Sequence, residues 1–240
     1  MRLTGLTLAA FGLGLTAQPT AALQVSTAEA ALSDSTLAPP ASEVRVVVSL
    51  HERRLWVMVG LDTLRTASVA VASGGVLHYG QRSWRFATPL GKHLVRTKTA
   101  EPVWLPPDWH YVEAAREHRL RVKWLPPAGL RLSDGRHLSV RDSIVGLVTD
   151  GDAFFAPLPV DEHIVFDATL FIPPLGTRNR RLVGELGKYA LDLGNGYLLH
   201  GTRDQGTIGS ATTHGCIRLA DDDLAWLYEH VPVGAAVFVR

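Results

Sequence analysis

The segment ATTHGCIRLADDD, residues 211–223, contains the only cysteine of this 240-residue chain. Cys216 lies between the pair His214-Gly215 and the charged Arg218. A cysteine that acts only as a small hydrophobic side chain normally lies in an apolar run, whereas this one lies in a polar, glycine-containing turn. In an exported protein, an unpaired cysteine is either an intermolecular link or a free thiol. The surrounding residues favour a reactive thiol.

A nucleophilic cysteine needs a base or a positive field close by, because a thiol with a pKa of about 8.5 is mostly protonated at neutral pH. Two of the ten histidines fit this role. His214 lies in the cysteine's own turn, and His200 ends the run Tyr197–Leu199, which predicts a buried strand. A base at the end of a strand has a rigid support. For the other eight histidines we expect surface positions or ordinary packing.

The N-terminus has the order of a secretory signal: Arg2, an apolar run at 3–15, and the small residues 20–22. We therefore predict a signal peptide at 1–22 and export to the periplasm or cell envelope. The apolar run is shorter than the roughly 20 residues of a membrane-spanning helix, so we expect no stable span after cleavage. An uncleaved N-terminal anchor is the alternative. The Ala-, Ser-, Thr- and Pro-rich residues 23–42 predict a flexible linker.

The remaining residues, 43–240, are enough for one domain with its own core. The net charge of +1 gives no electrostatic reason to expect a nucleic-acid partner. Apolar and alternating patterns predict a strand at 44–50 and, after a turn at 51–53, a second strand that continues through 59. Two further strands are predicted at 64–71 and at 235–240. Acidic residues at 221–223 predict the start of a helix, and Asp108 predicts the cap of another. The histidines lack zinc-ligand spacing, and the acidic run is typical of a helix start, so we predict no metal site.

These motifs together resemble the signature of the L,D-transpeptidases, the YkuD-type catalytic domain. The resemblance depends on His200-Gly201-Thr202, on Ile208-Gly209-Ser210, on the motif at 213–219 and on Thr88-Pro89-Leu90-Gly91. It implies a mostly β, β-sandwich-like catalytic domain at 43–240 with a few short helices. Residues 100–170 fit the family least well. They are either an insertion that acts as a lid over the site, or ordinary additional strands and a helix packed on the core.

The resemblance also implies a reaction, which needs no cofactor. Cys216 would attack a peptidoglycan stem peptide at the bond before D-Ala and form an acyl-thioester. His200 would act as the base, oriented by the backbone carbonyl of Gly201. Backbone N–H groups of Gly215 and Cys216 would stabilise the oxyanion.

Three further motif residues are expected to support this chemistry. Thr213 would brace the turn through its hydroxyl group. His214 would donate a hydrogen bond to the substrate or position the turn. Arg218 would pair with a stem carboxylate, and a structural ion pair that braces the turn is its alternative role.

The acceptor of the acyl group is not determined by the motif. An amine of a second stem peptide would give a cross-link, an amine of an envelope protein would give covalent anchoring, and water would give an L,D-carboxypeptidase. Two other classes stay open: a cysteine hydrolase of another cell-wall bond, and a catalytically silent wall-binding module. The joint presence of Cys216, His200, His214 and Arg218 favours an enzyme.

Overall fold

The computed structural model describes residue 41 and residues 43–149 and 154–240. The predicted signal peptide and the predicted linker, apart from residue 41, lie outside the described residues. Within the described ranges, neither α-helix has the length and apolar character needed to cross a bilayer.

The described chain consists mainly of short strands with two α-helices, which confirms the expected mostly β class. Eight strands come first: β1 (Val44–Ser49), β2 (Arg54–Val59), β3 (Asp62–Ala72), β4 (Val76–Tyr79), β5 (Arg82–Arg85), β6 (Gly91–Leu94), β7 (Thr97–Ala100) and β8 (Val103–Trp104). Helix α1 (Asp108–Glu117) is followed by β9 (Arg121–Trp124), β10 (Leu130–Arg131), β11 (His137–Arg141), β12 (Ile144–Val148), β13 (Phe155–Pro157), β14 (Ile164–Phe166), β15 (Thr169–Ile172) and β16 (Leu182–Val183). The last elements are β17 (Tyr189–Gly194), β18 (Tyr197–His200), β19 (Ala211–Thr213), β20 (Ile217–Leu219), helix α2 (Asp221–His230) and β21 (Ala236–Val239).

The largest sheet has ten strands in the order β6-β21-β1-β2-β3-β20-β18-β17-β7, and β19 pairs with β3. Strands β18 and β20 are parallel neighbours, with His200 opposite Arg218 in their register. Side chains two residues apart along a strand share a face of the sheet. The register places His200 and Arg218 on the same face, and Cys216 directly precedes the first residue of β20.

Helix α2 covers the main core of this sheet. Its side chains Leu224 and Leu227 are at most 1% exposed and belong to the same cluster as Val46, Leu199 and Ile217. They follow the spacing of an amphipathic helix. The acidic residues 221–223 occupy the first turn, where negative charge stabilises the positive end of the helix dipole. These core contacts therefore hold β18 and β20, the two strands that lie next to the motif residues, in place.

A second part of the chain builds its own cores from helix α1 and three smaller sheets. Helix α1 buries Tyr111, Val112 and Ala115 in a cluster that contains Leu170 and Ile172 of β15. The sheets are β14-β15-β9, β10-β11-β12-β13 and the hairpin β4-β5. Asp134 and Gly135 lie in the turn that joins β10 to β11.

The N-terminus of α1 is held by an ion pair that lies mostly in the interior. Arg180 Nη2 is 2.6 Å from Asp108 Oδ1, and the arginine side chain is only 7% exposed. Two carbonyl oxygens, those of Pro106 and Pro173, accept further bonds from this guanidinium at 3.0 Å. The prediction that Asp108 caps the helix is wrong. The N-cap position belongs to Pro107, and Asp108 is the first helical residue, whose carboxylate is directed to Arg180.

Candidate active site

A cleft of about 780 Å³ lies above the ends of β18 and β20. One wall, which we call the sheet side, carries the motif residues His200, Arg218 and the turn Thr213–Cys216. The opposite wall, which we call the helix side, comes from β8 and α1 and carries Trp104, Trp109, His110 and Glu113. The cleft therefore brings together six of the predicted site residues, while Gly201 is not among the residues that line it: His200, Thr213, His214, Gly215, Cys216 and Arg218.

The turn that carries Cys216 is closed by Thr213. Its buried hydroxyl donates to the carbonyl oxygen of Cys216 at 2.6 Å and accepts from the N–H of Gly215 at 3.3 Å. Gly215 has a φ of +148°, a region that favours glycine. A Cβ there would also lie 2.9 Å from Cε1 of Tyr197. The local sequence is thus what allows the chain to turn tightly at this point and present the thiol to the cleft.

The Cys216 thiol is half-buried, and its Sγ lies 3.7 Å from the carbonyl oxygen of Gly196. Burial raises the pKa of this thiol above its ordinary value, against the opposing effects of a backbone bond from Leu198 and the charge of Arg218. A carbonyl oxygen accepts hydrogen bonds but cannot stabilise a thiolate. The resting sulfur is therefore a protonated thiol at neutral pH.

The His200 imidazole is buried and is oriented by the residue that follows it. Its Nδ1 lies 2.6 Å from the carbonyl oxygen of Gly201. Because a carbonyl only accepts, Nδ1 carries the proton and Nε2 of the neutral ring is left as a base. Burial lowers the pKa of His200 to about 4, the positive charge of Arg218 lowers it further in the same direction, and the bond to Gly201 opposes both. His200 is consequently neutral at pH 7.

Gly201 is enclosed on two sides. A Cβ at this position would lie 2.8 Å from Oδ1 of Asp221 and 3.1 Å from Cα of Gly187. Its N–H donates to the carbonyl oxygen of Leu186 at 2.8 Å. A side chain here would displace the Asp221 carboxylate and crowd the Gly187 backbone, and the bond from the Gly201 N–H helps to fix the direction of the carbonyl that holds His200.

Arg218 has one satisfied and one unsatisfied side of its guanidinium group. Nη1 donates to the hydroxyl of Thr207 at 3.1 Å, whereas the buried Nε has no hydrogen-bond partner among the described residues. A buried N–H without a partner is uncommon, and it marks a place where an acceptor from a ligand would be favoured. Asp204, the acidic residue nearest to His200 in the motif, does not orient that ring, because Nδ1 of His200 lies on the carbonyl oxygen of Gly201.

His214 contacts the helix side of the cleft. Its ring is stacked on Trp109 with centroids 3.8 Å apart, and it meets the edge of Phe86 at 4.3 Å. Its Nε2 lies 2.9 Å from Oε2 of Glu113. Sequence reasoning did not find Trp109 or Glu113. Their spacing of four residues on the predicted helix was a signal for a shared face, but nothing in the sequence linked that face to a turn about 100 residues later.

His110 was expected at the surface or in ordinary packing, yet it lines the cleft. Its ring is 4.9 Å from the ring of Trp104. Burial lowers the pKa of His110 to about 4, and the nearby His163 and His214 add to this effect. Within the described ranges, no group of three or more His, Cys, Asp or Glu side chains is arranged to hold a metal ion.

Comparison with known proteins finds the same family that the motif resembles. The family model YkuD, described as the L,D-transpeptidase catalytic domain, matches residues 43–239. Over 52 residues the chain is 46% identical to "Probable L,D-transpeptidase ErfK/SrfK" of Salmonella typhimurium and to "Probable L,D-transpeptidase YbiS" of Escherichia coli. Each match covers 22% of this chain and 17% of the relative, so it spans about one sixth of the relative's length. A solved L,D-transpeptidase of Mycobacterium smegmatis is similar with 17% identity and a TM-score of 0.44, covering 83% of this chain and 59% of that one.

Proposed function

The chain belongs to the YkuD family of L,D-transpeptidase catalytic domains, and we propose that it is a peptidoglycan L,D-transpeptidase that works through a thioester on Cys216. One observation carries the proposal. His200 ends β18, Cys216 directly precedes its parallel neighbour β20, and both residues line one cleft, with Nδ1 of His200 held by the carbonyl oxygen of Gly201. This is the arrangement that a nucleophile and its general base require.

In the first step the sulfur of Cys216 attacks the carbonyl carbon of the stem-peptide bond before D-Ala. The thiol proton passes to Nε2 of His200 as the carbon–sulfur bond forms. Proton transfer before attack is unfavourable, because burial raises the pKa of the thiol and lowers that of the imidazole. Bond formation and proton transfer are therefore expected to be coupled.

The negative charge that develops on the carbonyl oxygen needs donors. The backbone N–H groups of Gly215 and Cys216 are proposed for this role, since Gly215 has no side chain to obstruct the approach. The N–H of Gly215 contacts Thr213 at 3.3 Å, which is a long bond that is readily exchanged for one to an oxyanion. The intermediate then collapses, the imidazolium of His200 protonates the leaving amine, and D-Ala departs.

In the second half of the reaction an acceptor amine attacks the thioester. His200 takes the proton from the amine and returns it to the sulfur as the carbon–sulfur bond breaks. The products are a new peptide bond and the free thiol, so no external energy source is consumed. Water in place of the amine gives an L,D-carboxypeptidase, and an amine of an envelope protein gives covalent anchoring to the wall.

Arg218 is proposed to pair with a carboxylate of the stem peptide. Its buried Nε lacks a partner in the described part of the chain, and the arginine forms no ion pair with a described residue that would account for its charge. A guanidinium group binds a carboxylate through two parallel bonds, which fixes the orientation of the substrate. This reason favours substrate binding over the alternative structural ion pair. Thr213 is proposed to act only within the turn.

The place of the reaction follows from the substrate. Peptidoglycan lies outside the cytoplasmic membrane, so the proposed activity requires export, which the predicted signal peptide at 1–22 and linker at 23–42 would provide. Residues 43–240 are proposed as the catalytic domain. The position of α1 on one wall of the cleft supports a role of residues 100–170 in covering the site.

The decisive experiment incubates the enzyme with a purified disaccharide-tetrapeptide and analyses the products by mass spectrometry. A transpeptidase releases D-Ala and forms a cross-linked dimer, and Cys216→Ala gives neither product. Loss of D-Ala without dimer would identify a carboxypeptidase. Cleavage of a different bond would identify another wall hydrolase, and an unchanged substrate would support a silent binding module.

A further inference from the structure

The helix side of the cleft reaches across to the turn that carries the nucleophile. Trp109 and Glu113 are four residues apart in α1, so their side chains lie on the same face of the helix. Both contact His214, which comes two residues before Cys216. Helix α1 is in turn held at its first residue by the ion pair between Asp108 and Arg180. A rigid element thus presents two side chains to one motif residue.

Three contacts fix the ring of His214. Trp109 lies parallel to it at an angle of 11°, and Phe86 meets it edge-on at 80°. The third contact is the bond of 2.9 Å between Nε2 and the Glu113 carboxylate. A carboxylate oxygen accepts, so Nε2 of His214 is the donor. Rotation of the ring would break this bond and the stacking together.

The backbone of His214 continues directly into the two N–H groups that the reaction needs. A shift of its side chain moves the peptide that ends in the N–H of Gly215, and oxyanion stabilisation is sensitive to donor position. Gly215 itself has no side chain that could hold the turn. The hydroxyl of Thr213 fixes the turn from the sheet side, and the imidazole of His214 is its anchor on the helix side.

We propose that Glu113 is a positioning residue of the acyl transfer, which acts through His214 and holds the turn Thr213–Cys216 in the geometry that stabilises the oxyanion. The inference rests on the proposed function, because it assigns a role within that reaction. It gives α1, in the segment that fits the family pattern least, a part in the chemistry. Glu113 touches neither the thiol nor the imidazole of His200 in the described contacts.

A purely structural role for this pair is disfavoured by its exposure. The side chains of His214 and Glu113 are 29% and 39% exposed. Ion pairs and hydrogen bonds at such positions contribute little to the stability of a fold. Replacing Glu113 should consequently leave the unfolding temperature nearly unchanged while it alters a rate.

The test compares two reactions of Cys216, of which only one develops an oxyanion. Iodoacetamide alkylates the thiol by displacement at a saturated carbon, with iodide as the leaving group. Acylation by p-nitrophenyl acetate passes through a tetrahedral oxyanion and releases p-nitrophenolate, with the thiol proton taken by His200. The rate of each reaction is measured for the wild type, Glu113→Ala, Glu113→Gln and the control Glu117→Ala, which changes an exposed glutamate of the same helix.

We expect Glu113→Ala to slow acylation by about tenfold or more, because misplaced groups in an active site have effects of this size. Alkylation should stay within about twofold of the wild type. Glu113→Gln should retain most of the acylation rate, since its amide oxygen can accept the same N–H bond. Glu117→Ala should resemble the wild type in both reactions.

Equal acylation rates in Glu113→Ala and the wild type would overturn the proposal. So would an equal loss in both reactions, which would show a general loss of structure, or a loss in Glu113→Gln as large as in Glu113→Ala. These outcomes are separate from a failure of the proposed function. That failure would appear as the absence of D-Ala release from the tetrapeptide by a wild-type enzyme that still reacts with p-nitrophenyl acetate.

Discussion

His200 and His214 line the same cleft, but the protein holds them by different means. His200 is 5% exposed and is oriented by a backbone carbonyl next to it in the chain. His214 is more exposed and is held by side chains from α1, which is about 100 residues away in sequence. Backbone geometry and burial therefore fix His200, whereas partly exposed side chains of the helix side hold His214.

This difference indicates how strongly substitutions on each side of the cleft should affect activity. Groups fixed by a buried backbone tolerate almost no substitution, because the surrounding atoms leave no space. Groups held by exposed side chains should be displaced only partly when one contact is lost, because each such contact contributes little energy. Mutations on the sheet side should thus abolish chemistry, and mutations on the helix side should reduce it.

The largest effect is expected for Cys216→Ser. The hydroxyl keeps the shape of the thiol, but it is a much weaker acid and nucleophile, and His200 has a carbonyl on Nδ1 in place of the carboxylate that supports a serine nucleophile, so turnover should fall by at least about 10³-fold. Release of D-Ala from a tetrapeptide substrate measures the rate, and Cys216→Ala should be equally inactive. Thermal unfolding close to that of the wild type would show that the fold is intact. Retention of most activity in either variant would refute covalent catalysis by Cys216.

The next largest effect is expected for Gly201→Ala. The new Cβ would lie 2.8 Å from Oδ1 of Asp221, whose side chain must move, and 3.1 Å from the backbone Cα of Gly187, so we expect the carbonyl that orients His200 to shift. We expect kcat to fall by about 10²-fold, the cost of a displacement of roughly 1 Å in an active site. Gly206→Ala is the matched control, because its Cβ would meet only the Asp204 carboxylate at 3.3 Å. Equal kcat values for the two variants would contradict the role of Gly201.

A third prediction concerns stability and compares the two helices. Arg180→Met removes the buried donor to Oδ1 of Asp108 and to two carbonyl oxygens, while Oδ2 of Asp108 keeps its bonds from Arg82 and Trp124. It should lower the free energy of unfolding by about 3 kcal/mol, roughly a 100-fold change in the equilibrium. Arg65→Met removes the corresponding partner of Asp223 in α2. That pair, with side chains 34% and 22% exposed, should contribute less than about 1 kcal/mol. Denaturant titration measures both values, and equal losses would contradict the assigned difference in burial.

The smallest effect is a change of about tenfold per pH unit in the rate at which iodoacetamide alkylates Cys216. Burial raises the pKa of Cys216, and His200, with its pKa lowered to about 4, is neutral above that pH. The thiolate fraction then increases about tenfold per pH unit below the pKa of the thiol. The rate of iodoacetamide alkylation should accordingly rise without a plateau from about pH 6 to 8. A wild-type rate that stays high down to about pH 5 and collapses in His200→Ala would instead show a resting thiolate–imidazolium pair.

Much of the sheet could be predicted from the sequence. Alternation at 44–50 predicted β1, and the acidic run at 221–223 with its apolar spacing predicted α2, because both patterns reflect burial on one face of a regular element. The error at Asp108 has a physical cause. The residue type suits a helix cap, but a buried arginine 72 positions later in the chain takes its carboxylate.

The sequence by itself was enough to propose the nucleophile, the base and the carbonyl that orients it, because these groups lie in short motifs whose geometry is local. A carbonyl one residue after His200 and a glycine one residue before Cys216 act through the backbone they share with the reactive side chains. Only the tertiary structure decided which face of α1 meets His214, and which buried atom of Arg218 is left without a partner in the described chain. Such contacts join residues far apart in sequence, and they arise from the packing of separate cores, which no local pattern encodes.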